Sequence, residues 1–163
     1  MPSYNPSDSA SDNASTVKEL YQAFARGDIG AILSSLTEDV ELDVPGGSPL
    51  SGIRSGRGQV GQFLADLQRL VRMDELDAGE FVSSGDKVVV LGRERGTIKE
   101  TGRSYSTKFA HVYTVRNHKV VGVVLFSDTH AIASAYGDSA QERAAQTGPL
   151  GVTAPPYSGG DVS

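Results

Sequence analysis

The chain has 163 residues, of which 38% are hydrophobic and 21% charged, and a net charge of −5. That length suits one domain around one core, and the acidic balance offers no basic field to attract nucleic acid or acidic lipid. Cysteine is absent, which excludes disulfides, thiolate metal sites and a cysteine nucleophile, and fits a reducing cytoplasm.

No apolar run reaches the ~20 residues a membrane helix needs. The opening MPSYNPSDSASDNAS has neither the basic nor the apolar region of a signal peptide. Its Ser, Asp, Asn and Pro content predicts a disordered tail over residues 1–14. The first helix is expected to start at Ser15 or Thr16, with Glu19 completing a capping box. Val17, Leu20, Tyr21 and Phe24 then form one apolar stripe, broken at Gly27-Asp28. A short second helix carries Ile29, Ile32, Leu33 and Leu36. VELDVPGG reads as a strand, and a Gly- and Ser-rich loop runs on to Gly58. A third helix holds Val60, Phe63, Leu64, Leu67, Leu70 and Val71.

Strands are then expected near 75–84, 86–96, 104–116 and 119–128, with turns at Ser84-Gly85-Asp86, Thr101-Gly102-Arg103 and Arg116-Asn117-His118-Lys119. A short helix follows at about 129–136. Residues 138–163 are rich in Gly and Pro without periodicity and read as a second tail. The folded domain is thus residues 15–137. Helices segregated onto one face of an antiparallel meander give an α+β layout. A curved sheet around helices leaves a cone suited to a small molecule.

The apolar hairpin 108–128 contains two conspicuous titratable groups, His111 and Asp128. Phe109, His111 and Tyr113 share one strand face; Val124, Phe126 and Asp128 share another. If both faces line one cone, burial raises the carboxyl pKa and lowers the imidazole pKa, as general acid–base catalysis near neutral pH requires. The plain alternatives are a hydrogen-bonded core histidine and an Asp128 that only caps the last helix. In VELDVP, Glu41 and Asp43 share the face opposite Val40, Leu42 and Val44, which also suits a solvated edge. Glu94 shares a face with Val88, Val90 and Gly92, so it lines a pocket or pairs with a base on a neighbouring strand. His118 in its turn and His130 at a helix start are expected in solvent. No histidine pair suits a metal, and no phosphate-binding glycine motif or nucleophile elbow is present.

The words LYQAFARGDIGAILSSLTEDVELDVPGGSPLSG, GRGQVGQFLADL, VVVLGRERGT, TGRSY, FAHVYTVRNHKV and FSDTHAIASAYG, in this order, resemble the SnoaL-like polyketide cyclases of the NTF2-like superfamily. The resemblance covers residues 15–137. It implies an α+β cone, with a curved mixed or antiparallel sheet around three N-terminal helices, an internal pocket and a homodimer formed through the sheet. Such cyclases carry an acid/base Asp at the end of the last strand, which falls on Asp128, and His111 resembles the histidine of their neighbouring strand. Limonene epoxide hydrolase is also similar. Its two relay Asp positions fall at Glu94 and Asp128, its water-orienting pair at Glu41 and Asp43, and its Arg at Gly92. In ketosteroid isomerase the base and the oxyanion-hole tyrosine would fall at Val44 and Leu20, both apolar, which argues against steroid isomerisation by that route.

The resemblance implies a cofactor-independent acid/base enzyme, a cyclase or isomerase acting on a small hydrophobic substrate. Asp128 would be the acid/base, with His111, Asp43 and Glu94 assisting, and Tyr21, Phe24, Glu41, Phe63, Phe109, Tyr113 and Phe126 shaping the substrate pocket. Epoxide hydrolysis and non-catalytic binding of a small ligand are the rival functions. No metal or cofactor is expected, and neither a nucleic acid nor a membrane partner.

Overall fold

The structure is a computed structural model that describes residues 6–137, with side chains described from residue 10 onward. The chain runs α1 (Pro6–Arg26), α2 (Ile29–Ser34), β1 (Leu36–Val44), β2 (Gly52–Ser55), α3 (Arg57–Leu70), β3 (Val71–Ser84), β4 (Lys87–Ile98), β5 (Ser104–Arg116), β6 (Lys119–Ser127) and α4 (Thr129–Tyr136). One six-stranded sheet has the order β2-β1-β6-β5-β4-β3. The β1–β6 pair is parallel and every other pair antiparallel. This is the expected mixed α+β cone.

Several boundaries differ from the sequence expectation. The first helix starts at Pro6, not at Ser15 or Thr16, so residues 6–14 of the expected tail are helical. Proline suits a first helical turn. The hydroxyls of Ser15 and Thr16 donate back to the carbonyls of Ser11 and Asp12 instead of capping a terminus. The expected tail at 138–163 lies outside the described residues. A short strand, β2, interrupts the loop before Gly58 by pairing with β1 from Glu41↔Ser55 to Val44↔Gly52. Leu36 opens β1 rather than ending a helix, and Val71 opens β3.

The helices close as their sequences dictate. Gly27, at φ 68°, ends α1, and the amide of Asp28 donates to the carbonyl of Ala23. The Asp28 side chain then accepts from the Ala31 amide at 3.0 Å to cap α2. The hairpin between β5 and β6 turns on Asn117 and His118, both at positive φ, as a two-residue turn with the strand twist requires.

Val17, Leu20 and Ala23 of α1 and Val60, Phe63 and Leu64 of α3 pack into the concave face of the sheet. Register shifts at Met73/Glu75 and Ala78/Glu80 in β3, and at Thr114/Val115 in β5, bend the sheet around them. The inner face is fixed by register. Leu42 pairs Val123, Val123 pairs Tyr113, and Tyr113 pairs Val88, all pointing inward. The neighbouring row, Asp43, Val124, Val112, Val89 and Val82, points outward.

Candidate functional site

Helices and sheet enclose a cavity of about 200 Å³. Its walls are mostly aliphatic and aromatic, and no Lys or Arg lies among its described lining residues. Besides the hydroxyl-bearing residues Ser48, Ser51, Ser127 and Thr129, polar side chains line it at two places.

The first is Glu94. Strand alternation points it inward between Gly92 and Gly96, while Arg93 and Arg95 are exposed on the other face. Both glycines are needed there. A Cβ on Gly92 would lie 2.5 Å from the Phe109 ring and 2.0 Å from the carbonyl oxygen of Asp77. A Cβ on Gly96 would lie 2.7 Å from the Tyr105 hydroxyl. The two rings therefore lie down on β4 on either side of Glu94, whose cross-strand partner is Thr107. The Glu94 carboxyl makes no hydrogen bond or ion pair with any described residue. Desolvation without a compensating cation pushes it up to about 7. Glu94 also helps raise the Tyr105 hydroxyl, which burial raises most. Tyr136, from α4, completes this end. Its hydroxyl is buried, has no hydrogen-bond partner among the described residues, and is pushed up to about 12 by burial.

The second is a chain of three side chains. Tyr113 Oη donates to Tyr21 Oη at 2.9 Å, and Tyr21 Oη lies 2.6 Å from Nδ1 of His111. The His111 ring stacks on Phe109 with centroids 4.0 Å apart and is 7% exposed. Burial pulls it down to about 3, so the imidazole is neutral at physiological pH. Burial also raises the hydroxyls of Tyr21 and Tyr113, the latter to about 12. His111 pairs Val90 on β4, four residues from Glu94, so their backbone positions are about 13 Å apart along the strand. The two groups would meet different parts of one bound molecule.

The structure divides the sequence candidates sharply. Glu94, His111, Tyr21, Phe24, Phe63 and Tyr113 line the cavity. Phe109 is buried but covers Gly92 and the His111 ring instead of facing the cavity. Asp128, Asp43, Glu41 and Phe126 are not cavity residues. His111 pairs Leu125, so Val123, Leu125 and Ser127 face inward and Phe126 points out, 49% exposed. Asp128 is exposed and caps α4. Its carboxylate accepts from the Ala131 amide at 3.0 Å, and its own amide donates to Thr107 Oγ1 at 2.9 Å. Asp43 pairs Val124 on the outer face, and Glu41 is exposed beside it. The apolar side of β1, Leu36, Val40, Leu42 and Val44, lines the cavity instead.

With Asp128 and Asp43 outside and a glycine at the arginine position, the limonene epoxide hydrolase relay is not assembled. Leu20 and Val44 both line the cavity, so the steroid isomerase pair is missing as well. His118 and His130 are exposed. Tyr105 and Tyr136 escaped the sequence reading. Tyr105 was accessible by alternation from His111, whereas nothing local marks Tyr136 as inward. No described helix is long and apolar enough to cross a membrane.

Comparison with known proteins agrees with this architecture. An NTF2-like protein from Burkholderia xenovorans superposes with a TM-score of 0.73 at 32% identity, over 77% of this chain and 96% of the other. An NTF2-like protein of unknown function from Burkholderia pseudomallei does so with 0.72 at 33% identity, over 78% and 98%. TerC, solved with polyporic acid, gives 0.68 at 28% identity, over 78% and 99%. Among curated proteins none matches. The SnoaL-like domain model matches residues 17–123, well over half of the chain, and the chain therefore belongs to the SnoaL-like family of the NTF2-like superfamily.

Proposed function

We propose that the protein is a cofactor-independent proton-transfer enzyme, a cyclase or isomerase acting on a small, largely apolar carbonyl compound through its enol or enolate. The observation that carries this reading is the unpaired Glu94 carboxyl inside the apolar cavity. A carboxyl held near 7 is poised to take a proton and return it at neutral pH. Glu94 replaces Asp128 as the acid/base. The unpartnered Tyr136 hydroxyl at the same end is a ready donor to a developing oxyanion. TerC, a relative solved with polyporic acid, supports a small organic substrate.

The test is exchange of the α-hydrogens of a panel of hydrophobic ketones in deuterated water, read by mass spectrometry. Wild type is expected to accelerate exchange, with the rate rising through about pH 7 as Glu94 ionises. Glu94→Gln is expected to lose a factor of about 10²–10⁴. Equal exchange by the two proteins would overturn the assignment, and binding without exchange by wild type would favour a plain ligand carrier.

The outer face of the sheet supports a homodimer. Leu91, Ala110 and Phe126 form one cross-strand row, and Val82, Val89, Val112 and Val124 the next. Leu91, Val82 and Phe126 are exposed. Acidic Glu41 and Asp43 on β1 share this face with basic Arg93 and Lys108 on β4 and β5. A two-fold docking of this face on itself can bury the apolar rows and set the acids of one copy against the bases of the other.

A further inference from the structure

We infer that Tyr21 and Tyr113 are positioning residues that hold neutral His111 as its Nε2–H tautomer, making Nε2–H a hydrogen-bond donor into the cavity for a carbonyl oxygen of the substrate. The inference deepens the proton-transfer reading and rests on it for the substrate's carbonyl.

Each tyrosine hydroxyl has one proton to give. Tyr113 Oη donates to Tyr21 Oη at 2.9 Å. Tyr21 must then send its own proton to its other neighbour, Nδ1 of His111, at 2.6 Å. Nδ1 accepts, so the ring proton of the neutral imidazole is on Nε2. The opposite polarity would run from Nδ1–H to Tyr21 and from Tyr21 to Tyr113. It would reverse the donor direction of the Tyr113–Tyr21 bond and leave the Tyr113 proton, instead of the His111 Nε2 proton, as the one without an acceptor among the described residues.

In the favoured polarity one donor is left over. Nε2–H has no acceptor among the described residues, and His111 lines the cavity. Stacking on Phe109 keeps the ring from turning. The chain therefore delivers its single unsatisfied proton to the ligand space, at the end away from Glu94. A molecule bound between them would present an acidic C–H and its own carbonyl to Glu94 and Tyr136, and a second, remote carbonyl oxygen to His111.

The test is solution NMR of the isotopically labelled full chain, reading the tautomer of each imidazole from its two ring nitrogens. In wild type at neutral pH, His111 is expected as Nε2–H with Nδ1 unprotonated. Tyr21→Phe removes only the donor hydroxyl and is expected to raise the Nδ1–H population roughly fivefold or more, the effect of losing one hydrogen bond. Tyr113→Phe is expected to move it the same way by less. Naphthoquinone is expected to shift the Nε2 resonance, and naphthalene, of similar shape without carbonyls, is not. A wild-type His111 that is mainly Nδ1–H, or a tautomer ratio unmoved by Tyr21→Phe, would overturn the positioning role. No response of Nε2 to naphthoquinone, or equal shifts from both compounds, would overturn the donor role. None of these readouts uses turnover, so a failed Glu94 exchange assay leaves them interpretable.

Discussion

Replacing Glu94 by Gln tests the cavity's electrostatics without needing a substrate. Glu94 titrates at an ordinary 4.5 in a solvated chain and near 7 in the fold. Below about pH 4.5 the side chain is neutral in both states and folding pays no penalty. As pH rises the unfolded chain releases the proton first, so stability falls, and the loss is complete above about pH 7. A difference of about 2.5 in pKa, at about 1.4 kcal/mol for each, gives a loss of about 3 kcal/mol. Gln has the same shape and never ionises. Whatever fixed offset its amide introduces cancels when the two proteins are compared across pH. Glu94→Gln should therefore gain on wild type progressively from about pH 5 to about pH 8, by about 3 kcal/mol in all. His111 works in the opposite sense. Its pKa is lowered to about 3, so stability is lost as pH falls below its unfolded value, equally in both proteins. The chain has no tryptophan, so urea unfolding is best followed by far-ultraviolet circular dichroism. A difference that stays constant with pH, or a wild type that gains on Gln as pH rises, would refute the picture of a desolvated, unpaired carboxyl.

Three other predictions follow from the geometry. Asp128→Ala should lower stability by about 1 kcal/mol through loss of the α4 cap yet leave turnover per folded molecule unchanged, and a collapse of turnover would restore Asp128 to the chemistry. Gly92→Ala should destabilise the domain by about 3 kcal/mol or more, because the new methyl has no room against the Asp77 carbonyl and the Phe109 ring; thermal unfolding like wild type would contradict that packing. In analytical ultracentrifugation wild type is expected to sediment as the proposed dimer and the Leu91→Asp, Phe126→Asp double variant as a monomer, with ketone exchange unaffected; a monomeric wild type, or a variant of unchanged mass, would overturn docking through this face.

Local pattern carried a large part of the architecture. The Val17-Leu20-Tyr21-Phe24 stripe, the Gly27-Asp28 break, the β-branched runs and the Asn117-His118 turn each follow from short-range stereochemistry, and each is present in the fold. His111 and Glu94 were legible as candidates because an imidazole and a carboxylate in apolar strands are costly unless used. The start of α1 was missed because polar residues such as Ser15 and Thr16 suit a helix interior and a cap alike, and only the helix's continuation to Pro6 distinguishes them. β2 was missed because four residues of strand exist only by virtue of β1 beside them.

The sequence by itself determined which residues share a strand face, since alternation is a property of the backbone. It separated Asp43 from Leu42 and Asp128 from Leu125. Which of two faces is inside belongs to tertiary structure. It depends on pairing register, and a slip of one residue exchanges every inward side chain for an outward one. The pairs His111↔Leu125 and Asp43↔Val124 put Asp128 and Asp43 outside. The inward face of β4 kept Glu94, wrapped between two aromatic rings that only glycines admit. The Tyr113–Tyr21–His111 chain likewise spans more than ninety residues of sequence, and only packing α1 into the sheet brings it together.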